Sequence, residues 1–236
     1  MSTPYYVSPG QIWEDKKVFV DRGIEQAKEV IVLAYKDGLL MVAENPRRTL
    51  FKISEIYDRI ALASTGRVSE YEALRVAGIR EAEVKGYTYY REDVTGKWLT
   101  NIYSQHISAI AQAWDVKPLE IELLVCEVDG RPDVHSQIYK ISFDGTYEEL
   151  DKFAVIGGRA AAITESLYET YVEGLELKDA LHLAARIFES IESKESEPYH
   201  ITPETIEVSC LDSTIGRRKF RRFSVDEIAE IYNHAS

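Results

Sequence analysis

The sequence predicts an α+β fold, a four-layer αββα sandwich, from three observations. Val30 to Glu44 holds two apolar runs, Val30-Ile31-Val32-Leu33 and Leu39-Leu40-Met41-Val42, joined by Lys36-Asp37-Gly38, a strong hairpin signal. Both runs are apolar at nearly every position, so the sheet that contains them must be covered on both faces. Strand-like groups alternate along the chain with two pairs of amphipathic segments, and two helices outside each of two packed sheets satisfy all three conditions.

Met1 to Ser8 is short, polar and aromatic. It precedes a helix start with Ser8 as N-cap, Pro9 at the first helical position and Gln11 completing a capping box. Residues 9–28 form the N-terminal helix, whose stripe of Ile12, Trp13, Phe19, Val20, Ile24 and Ala27 needs a partner, either its own domain or another subunit. After the hairpin, Asn45-Pro46-Arg47-Arg48 marks a turn, Thr49 to Ile53 a short extended piece carrying Lys52, and Arg59 to Ser64 a strand group ended by Gly66. Val68, Tyr71, Leu74, Gly78 and Ala82 follow at helical spacing, with small residues where a neighbour approaches closely. Thr95 caps a second helix with Leu99, Ile102, Tyr103, Ile107, Ala109, Ile110 and Ala113 inward, and His106 is expected on that face as a core residue.

Glu120 to Val128 and Val134 to Phe143 read as a strand pair followed by the turn Asp144-Gly145, and Phe153 to Gly158 as another strand. Helices are expected near Ala160 to Glu173 and over Leu177 to Ser193, then an exposed acidic loop from Glu192 to Pro198. Thr205 to Leu211 and Lys219 to Phe223 close the sheet, and Ser224 with Glu227 forms the capping box of a last helix.

A chain of 236 residues without a long Pro/Gly/Ser linker reads as one domain, 1–236. No apolar run reaches the length of a membrane span, and MSTPYYVSPGQIWEDKK lacks a secretory pattern, so the expected location is cytoplasmic. A formal charge of -12 argues against nucleic acid as a partner. The basic cluster Arg217-Arg218-Lys219 with Arg221 and Arg222, interleaved with Phe220 and Phe223, reads as a solvated strand face. Cys126 and Cys210 sit in apolar runs as small core residues, and the five histidines show no ligand spacing, so neither a metal nor a cofactor is expected.

Taken together, PYYVSPGQ, RGIEQAK, YKDGLLMVAENPRR, FKISEIYDRIALASTGRVSEYEALR, REDVTGKWLTNIY, VKPLEIELLVCEVDG and IYKISFDG resemble the subunits of the proteasome core particle over nearly the whole length. Within that family they are most similar to the α-type subunits of the actinobacterial 20S particle. The resemblance implies the N-terminal-nucleophile hydrolase sandwich, in agreement with the layer order above. It also implies a homo-heptameric α ring that caps rings of β subunits, gates an axial pore and docks a ring-shaped AAA ATPase activator through the activator's C-terminal tail. Lys52 corresponds to the lysine that binds that tail, and to the position at which active siblings carry a catalytic lysine. Ala27, Gly66 and Arg67 align with the pocket lining, although archaeal relatives have an apolar residue in place of Arg67. Val116-Lys117-Pro118 resembles the pore loop, with lysine for the usual arginine and without the glycines that precede it. Thr3, Pro4, Tyr5 and Tyr6 fall in the gating tail, residues 1–8, but lack the tyrosine-aspartate pattern of archaeal and eukaryotic gates.

Active siblings are threonine peptidases, in which an N-terminal threonine uses its own α-amine as base at the start of the first strand. By analogy that position falls near Lys28 and Glu29, where no threonine stands, and the chain continues upstream into a capped helix. The resemblance therefore implies a non-catalytic gating subunit. A catalytic threonine peptidase and an unrelated αββα enzyme are the alternatives.

Overall fold

The computed structural model describes residues 8–46, 50–129, 136–192 and 201–233. After helix α1 (Pro9–Glu25) come the hairpin strands β1 (Val30–Tyr35) and β2 (Gly38–Glu44), then β3 (Ile53–Tyr57) and β4 (Ile60–Gly66). Helices α2 (Val68–Thr88) and α3 (Gly96–Gln112) precede β5 (Ile121–Glu127), β6 (Gln137–Ile141), β7 (Tyr147–Leu150) and β8 (Phe153–Ile156). The chain continues through α4 (Ala160–Thr170), α5 (Leu177–Glu192), β9 (Ile206–Asp212), β10 (Phe220–Arg222) and α6 (Val225–Asn233).

Two five-stranded antiparallel sheets result, one ordered β10-β9-β2-β1-β8 and the other β3-β4-β5-β6-β7. Their side chains sort into three layers. Ile31, Leu33, Leu40 and Val42 join Leu167, Leu181, Ala184 and Phe188 of α4 and α5 on one outer face. Leu62, Leu123 and Val125 join Tyr71, Leu74, Leu99 and Tyr103 of α2 and α3 on the other. Between the sheets lie Val30, Val32, Leu39 and Met41 with Ala61, Ala63 and Leu124. Alternate residues of one strand thus enter different cores, which is why the hairpin is apolar without interruption. The predicted four-layer sandwich is present, with α6 added beside α5.

The turns and caps follow their residues. Lys36-Asp37 turns the hairpin, Tyr35 pairs with Gly38, and a Cβ at Gly38 would stand 1.9 Å from the Leu211 carbonyl oxygen. Thr95 accepts the Trp98 N–H at 3.2 Å, and Ser224 and Glu227 exchange the two bonds of a capping box at 3.3 and 2.7 Å. A Cβ at Gly78 would meet the Tyr103 hydroxyl at 1.8 Å, so α2 and α3 do approach at a small residue.

Several expectations are corrected. The third strand begins at Ile53 instead of ending there, and Lys52 before it is held by the Ser64 backbone N–H together with side chains. Ser54-Glu55 looks loop-like in sequence because β3 is an edge strand with wet positions. β7 was missed for the same reason, since three of the four residues in Tyr-Glu-Glu-Leu are exposed. His106 is exposed, because the buried face of α3 runs through Leu99, Tyr103, Ile107 and Ala111. Ser8 caps α1, but the Gln11 side chain turns forward to Asp15 at 2.9 Å. Of the α1 stripe only Val20 is buried, while Trp13 and Phe19 remain exposed. Part of the loop expected over Glu192 to Pro198 lies outside the described residues, as do Thr3, Pro4, Tyr5 and Tyr6.

Gly38→Ala tests how tightly the hairpin is fixed. The added methyl meets backbone, which cannot rotate away, so a loss of about 2 kcal/mol or more is expected, a fall in Tm of roughly 4–8 °C. A shift of under about 2 °C by calorimetry would show that β9 yields.

Candidate functional site

Lys28 and Glu29 connect α1 to β1, and the carbonyl of Lys28 gathers the surrounding chain. It accepts the Lys52 ammonium at 2.6 Å and the Thr65 hydroxyl at 2.7 Å. Lys52, Ala27 and Gly66 are thereby brought to one end of the sandwich. Ala27 accepts the Gly158 N–H at 3.1 Å, and Gly66 has φ +103° with its α-carbon against the Glu120 carbonyl, where a Cβ would fall 2.0 Å from oxygen. Only glycine fits there.

Three carboxylates are buried at this end, Glu29 at 2%, Glu44 at 2% and Glu207 at 4% exposure. Each has cations or donors around it, as a buried charge must. Arg159 grips Glu29 with two guanidinium bonds of 2.9 and 2.7 Å and a backbone N–H at 3.1 Å. Burial pushes the Glu29 carboxyl up, and the Arg159 hydrogen bonds and charge more than offset this, so it sits below the usual carboxylate range. Glu44 pairs with Lys28 at 2.9 Å and lies 3.6 Å from Arg159. Glu207 accepts from Asn45 Nδ2, from the Lys52 and Ile53 backbone and from Arg222. Burial draws the Lys52 ammonium down to about 8, against the pull of Glu29, Glu44 and Glu207 and with a small push from Lys28.

Arg67 sits beside this group and leads away from it. Its N–H donates to the Glu120 carbonyl at 2.8 Å, and its guanidinium pairs with Glu120 at 2.8 Å and Glu70 at 3.6 Å. Lys117 reaches the same two carboxylates at 2.6 and 2.7 Å. The Lys117 hydrogen bond is the main reason that Glu120 is held below the usual carboxylate range. The structure therefore joins the expected pocket residue Arg67 to the expected loop residue Lys117, a link that sequence reasoning did not find. Val116 is exposed and Pro118 buried. Lys117 also stands 5.5 Å from the Phe19 ring centroid, over a groove of about 680 Å³ between α1 and Trp114.

Sequence reasoning also missed Glu44, Arg159 and Glu207 as site residues. A charge at an inward register of an otherwise apolar strand, such as Glu207 in IEVSCLD, was the available signal. The basic cluster faces water at Arg217 and Arg218, yet it is engaged within the chain. Arg217 lies 3.4 Å from Asp58, Arg218 pairs with Glu55, and Arg221 pairs with Glu227 at 2.6 Å.

At the start of β1 no nucleophile stands. Lys28 and Glu29 occupy the place, and the backbone runs back into α1, with the Ala27 N–H on the Ile24 carbonyl at 2.8 Å. Thr65 is the nearby hydroxyl, and it is committed to the Lys28 carbonyl. Cys126 and Cys210 are buried, and burial pushes both thiols up, Cys210 to about 11, so neither is a thiolate at neutral pH. Among the described residues, no helix is long and apolar enough to cross a membrane.

The fold defines a class: a four-layer αββα sandwich of the N-terminal-nucleophile hydrolase type. Residues 24–209 match the family model for proteasome subunits, and the chain belongs to the proteasome subunit family. It is similar to proteins named proteasome subunit alpha. That of Acidothermus cellulolyticus is 46% identical over 236 residues, covering the whole of both chains. That of Kineococcus radiotolerans is 45% identical over 227 residues, 95% of each chain. That of Thermobifida fusca is 42% identical over 235 residues, all of this chain and 92% of the relative.

Arg159→Met tests the buried charge group. It leaves Glu29 ionised and dry, and breaking a buried pair on one side typically costs about 3–5 kcal/mol. Urea denaturation should show that loss at pH 7, and a variant within about 1 kcal/mol of the parent would mean that water reaches Glu29.

Proposed function

We propose that this chain is the non-catalytic α-type subunit of a proteasome core particle. Seven copies form an outer ring on the β-subunit ring, which holds the threonine peptidase activity. The α ring narrows the axial passage with residues 1–8 and with the Val116-Lys117-Pro118 loop, and it docks a ring ATPase for protein degradation in the cytoplasm. The feature that carries this reading is the start of β1, where Lys28 and Glu29 stand at the position that the resemblance assigns to the nucleophile and the Lys52 ammonium rests on the Lys28 carbonyl. The names of the full-length relatives support the α type. The exposed apolar side chains of α1, Trp13, Val18 and Phe19, with Trp114 at 80% exposure, offer the kind of surface that a neighbouring subunit covers.

Lys52 serves as the anchor for the activator's terminal carboxylate, with Ala27, Gly66 and Arg67 around it. An ammonium on a flexible stem can leave the Lys28 carbonyl for a full negative charge. Truncating one partner of such a pair typically costs about 2–5 kcal/mol, and each 1.4 kcal/mol is tenfold in affinity. Lys52→Ala should therefore lose activator-dependent degradation of folded proteins while particles still assemble. An assembled Lys52→Ala particle that responds fully to its ATPase would refute the anchor role. Because the free ammonium titrates near 8 and the bound carboxylate raises it, docking is strongest below pH 8 and weakens above it. The wild-type affinity should fall by about tenfold between pH 7 and pH 9.

The tail is tested separately. Particles that lack residues 1–8 should hydrolyse small peptides faster than intact ones, since removal opens the passage without touching the β ring. Equal rates would show that this segment does not obstruct it. An intact mass that begins at an internal threonine would favour the peptidase alternative.

A further inference from the structure

Lys52 immediately precedes β3, whose register with β4 begins at Ile53. Its backbone is gripped from two sides. Ser64, on β4 of the second sheet, donates its N–H and hydroxyl to the Lys52 carbonyl at 2.9 and 3.0 Å. Glu207, on β9 of the first sheet, accepts the Lys52 N–H at 2.9 Å and the Ile53 N–H at 3.2 Å. The same carboxylate accepts Asn45 Nδ2 at 3.0 Å and Arg222 Nη1.

Those two partners hold the rest of the segment. Asn45 also donates to the Leu50 carbonyl at 2.8 Å, and Arg222 donates to the Ile53 carbonyl at 2.6 Å. The Arg222 guanidinium lies 3.7 Å from the Phe51 ring centroid. Each residue from 50 to 53 is thus tied to Glu207 directly or through one side chain. An ionised carboxylate only accepts and offers about four sites, so four donors saturate it. An amide placed at this position could not receive all four, since its NH2 group would face the two donors that one carboxylate oxygen now accepts.

We propose that Glu207 is the positioning residue of Lys52. It crosses from one sheet to the other and fixes the 50–53 segment so that the ammonium stands on the Lys28 carbonyl at the sandwich end. The functional meaning of this placement rests on the docking role of Lys52, whereas the placement itself can be measured without it.

The test reads Lys52 directly. Lysines of the full-length chain are reductively methylated with ¹³C, which keeps their charge, and the Lys52 resonance is identified by its loss in Lys52→Arg. In the parent, Glu29, Glu44, Glu207 and Lys28 face the ammonium, and its midpoint lies near 8. If Glu207 positions the segment, Glu207→Gln releases Lys52 into water, and the midpoint rises toward the ordinary value of about 10.4. If Glu207 supplied only charge, its loss would lower the midpoint, so a lowered or unchanged midpoint overturns the proposal. Should that variant not fold, Glu207→Asp is read in its place: it keeps the charge but withdraws the carboxylate by a methylene. Positioning again predicts a rise, and a midpoint still near 8 overturns it.

A second measurement separates this proposal from the docking reading. A fluorescein-labelled octapeptide pool with free C-terminal carboxylates, against its amidated twin, is titrated into particles assembled with the β subunit. Glu207→Gln should weaken binding at least tenfold and add nothing in the Lys52→Ala background. An equal loss in that background overturns positioning through Lys52. Binding that is indifferent to Lys52→Ala, alongside a raised Lys52 midpoint in Glu207→Gln, would sink the docking reading alone.

Discussion

The constraint on which the rest of the structure depends is the two-sided burial of the β1–β2 hairpin. Its side chains alternate between the helix-covered core and the core between the sheets, and nearly all of them are fully buried. At roughly 1.5–3 kcal/mol for each fully buried large aliphatic side chain, neither face could be left to water. A helical layer is needed on one side and a second sheet on the other. That sheet has an outer face too, which α2 and α3 cover. The hairpin's edges are also occupied, by β8 along β1 and β9 along β2, while the most polar strand, β7, lies at an edge of the second sheet.

This difference in burial decides what could be read in the sequence. Central strands announce themselves by unbroken apolar runs, and helix starts by residues such as Thr95 and Ser224 whose side chains reach the free N–H groups of the first turn. Edge strands with wet positions carry a weaker signal: Tyr147–Leu150 exists because β6 offers it a ladder, and Ile53–Tyr57 interrupts its buried residues with Ser54 and Glu55. His106 was misplaced by a single helical step of about 100°, which is enough to take a side chain from the core face to water.

The site was legible only in part, and sequence separation explains which part. Ala27, Lys52 and Gly66 were expected from the resemblance of the local motifs around them, and the structure places the Lys52 ammonium and Thr65, next to Gly66, on the Lys28 carbonyl. Their support was invisible because each partner lies far along the chain. Arg159 is 130 residues from Glu29, and Glu207 is 162 from Asn45. The connection between Arg67 and Lys117 is similar, since it runs through Glu70 and Glu120, residues that look like ordinary surface acids. Neither cation can move without changing the field at the other, so the pocket end and the loop share one electrostatic environment.

Charge at the sandwich end also bears on what the Lys52 ammonium can do. Among the described residues, Glu29, Glu44 and Glu207 face Lys28, Lys52, Arg159 and Arg222. Arg159 and Arg222 are committed to carboxylates in fixed bidentate or bridging geometry. Lys52 instead rests on a neutral carbonyl, and burial opposes its charge. An arriving carboxylate would give that ammonium a charged partner while the arginine-held carboxylates keep their places, and this exchange of a neutral carbonyl for a full negative charge is the physical basis of the docking proposed for Lys52.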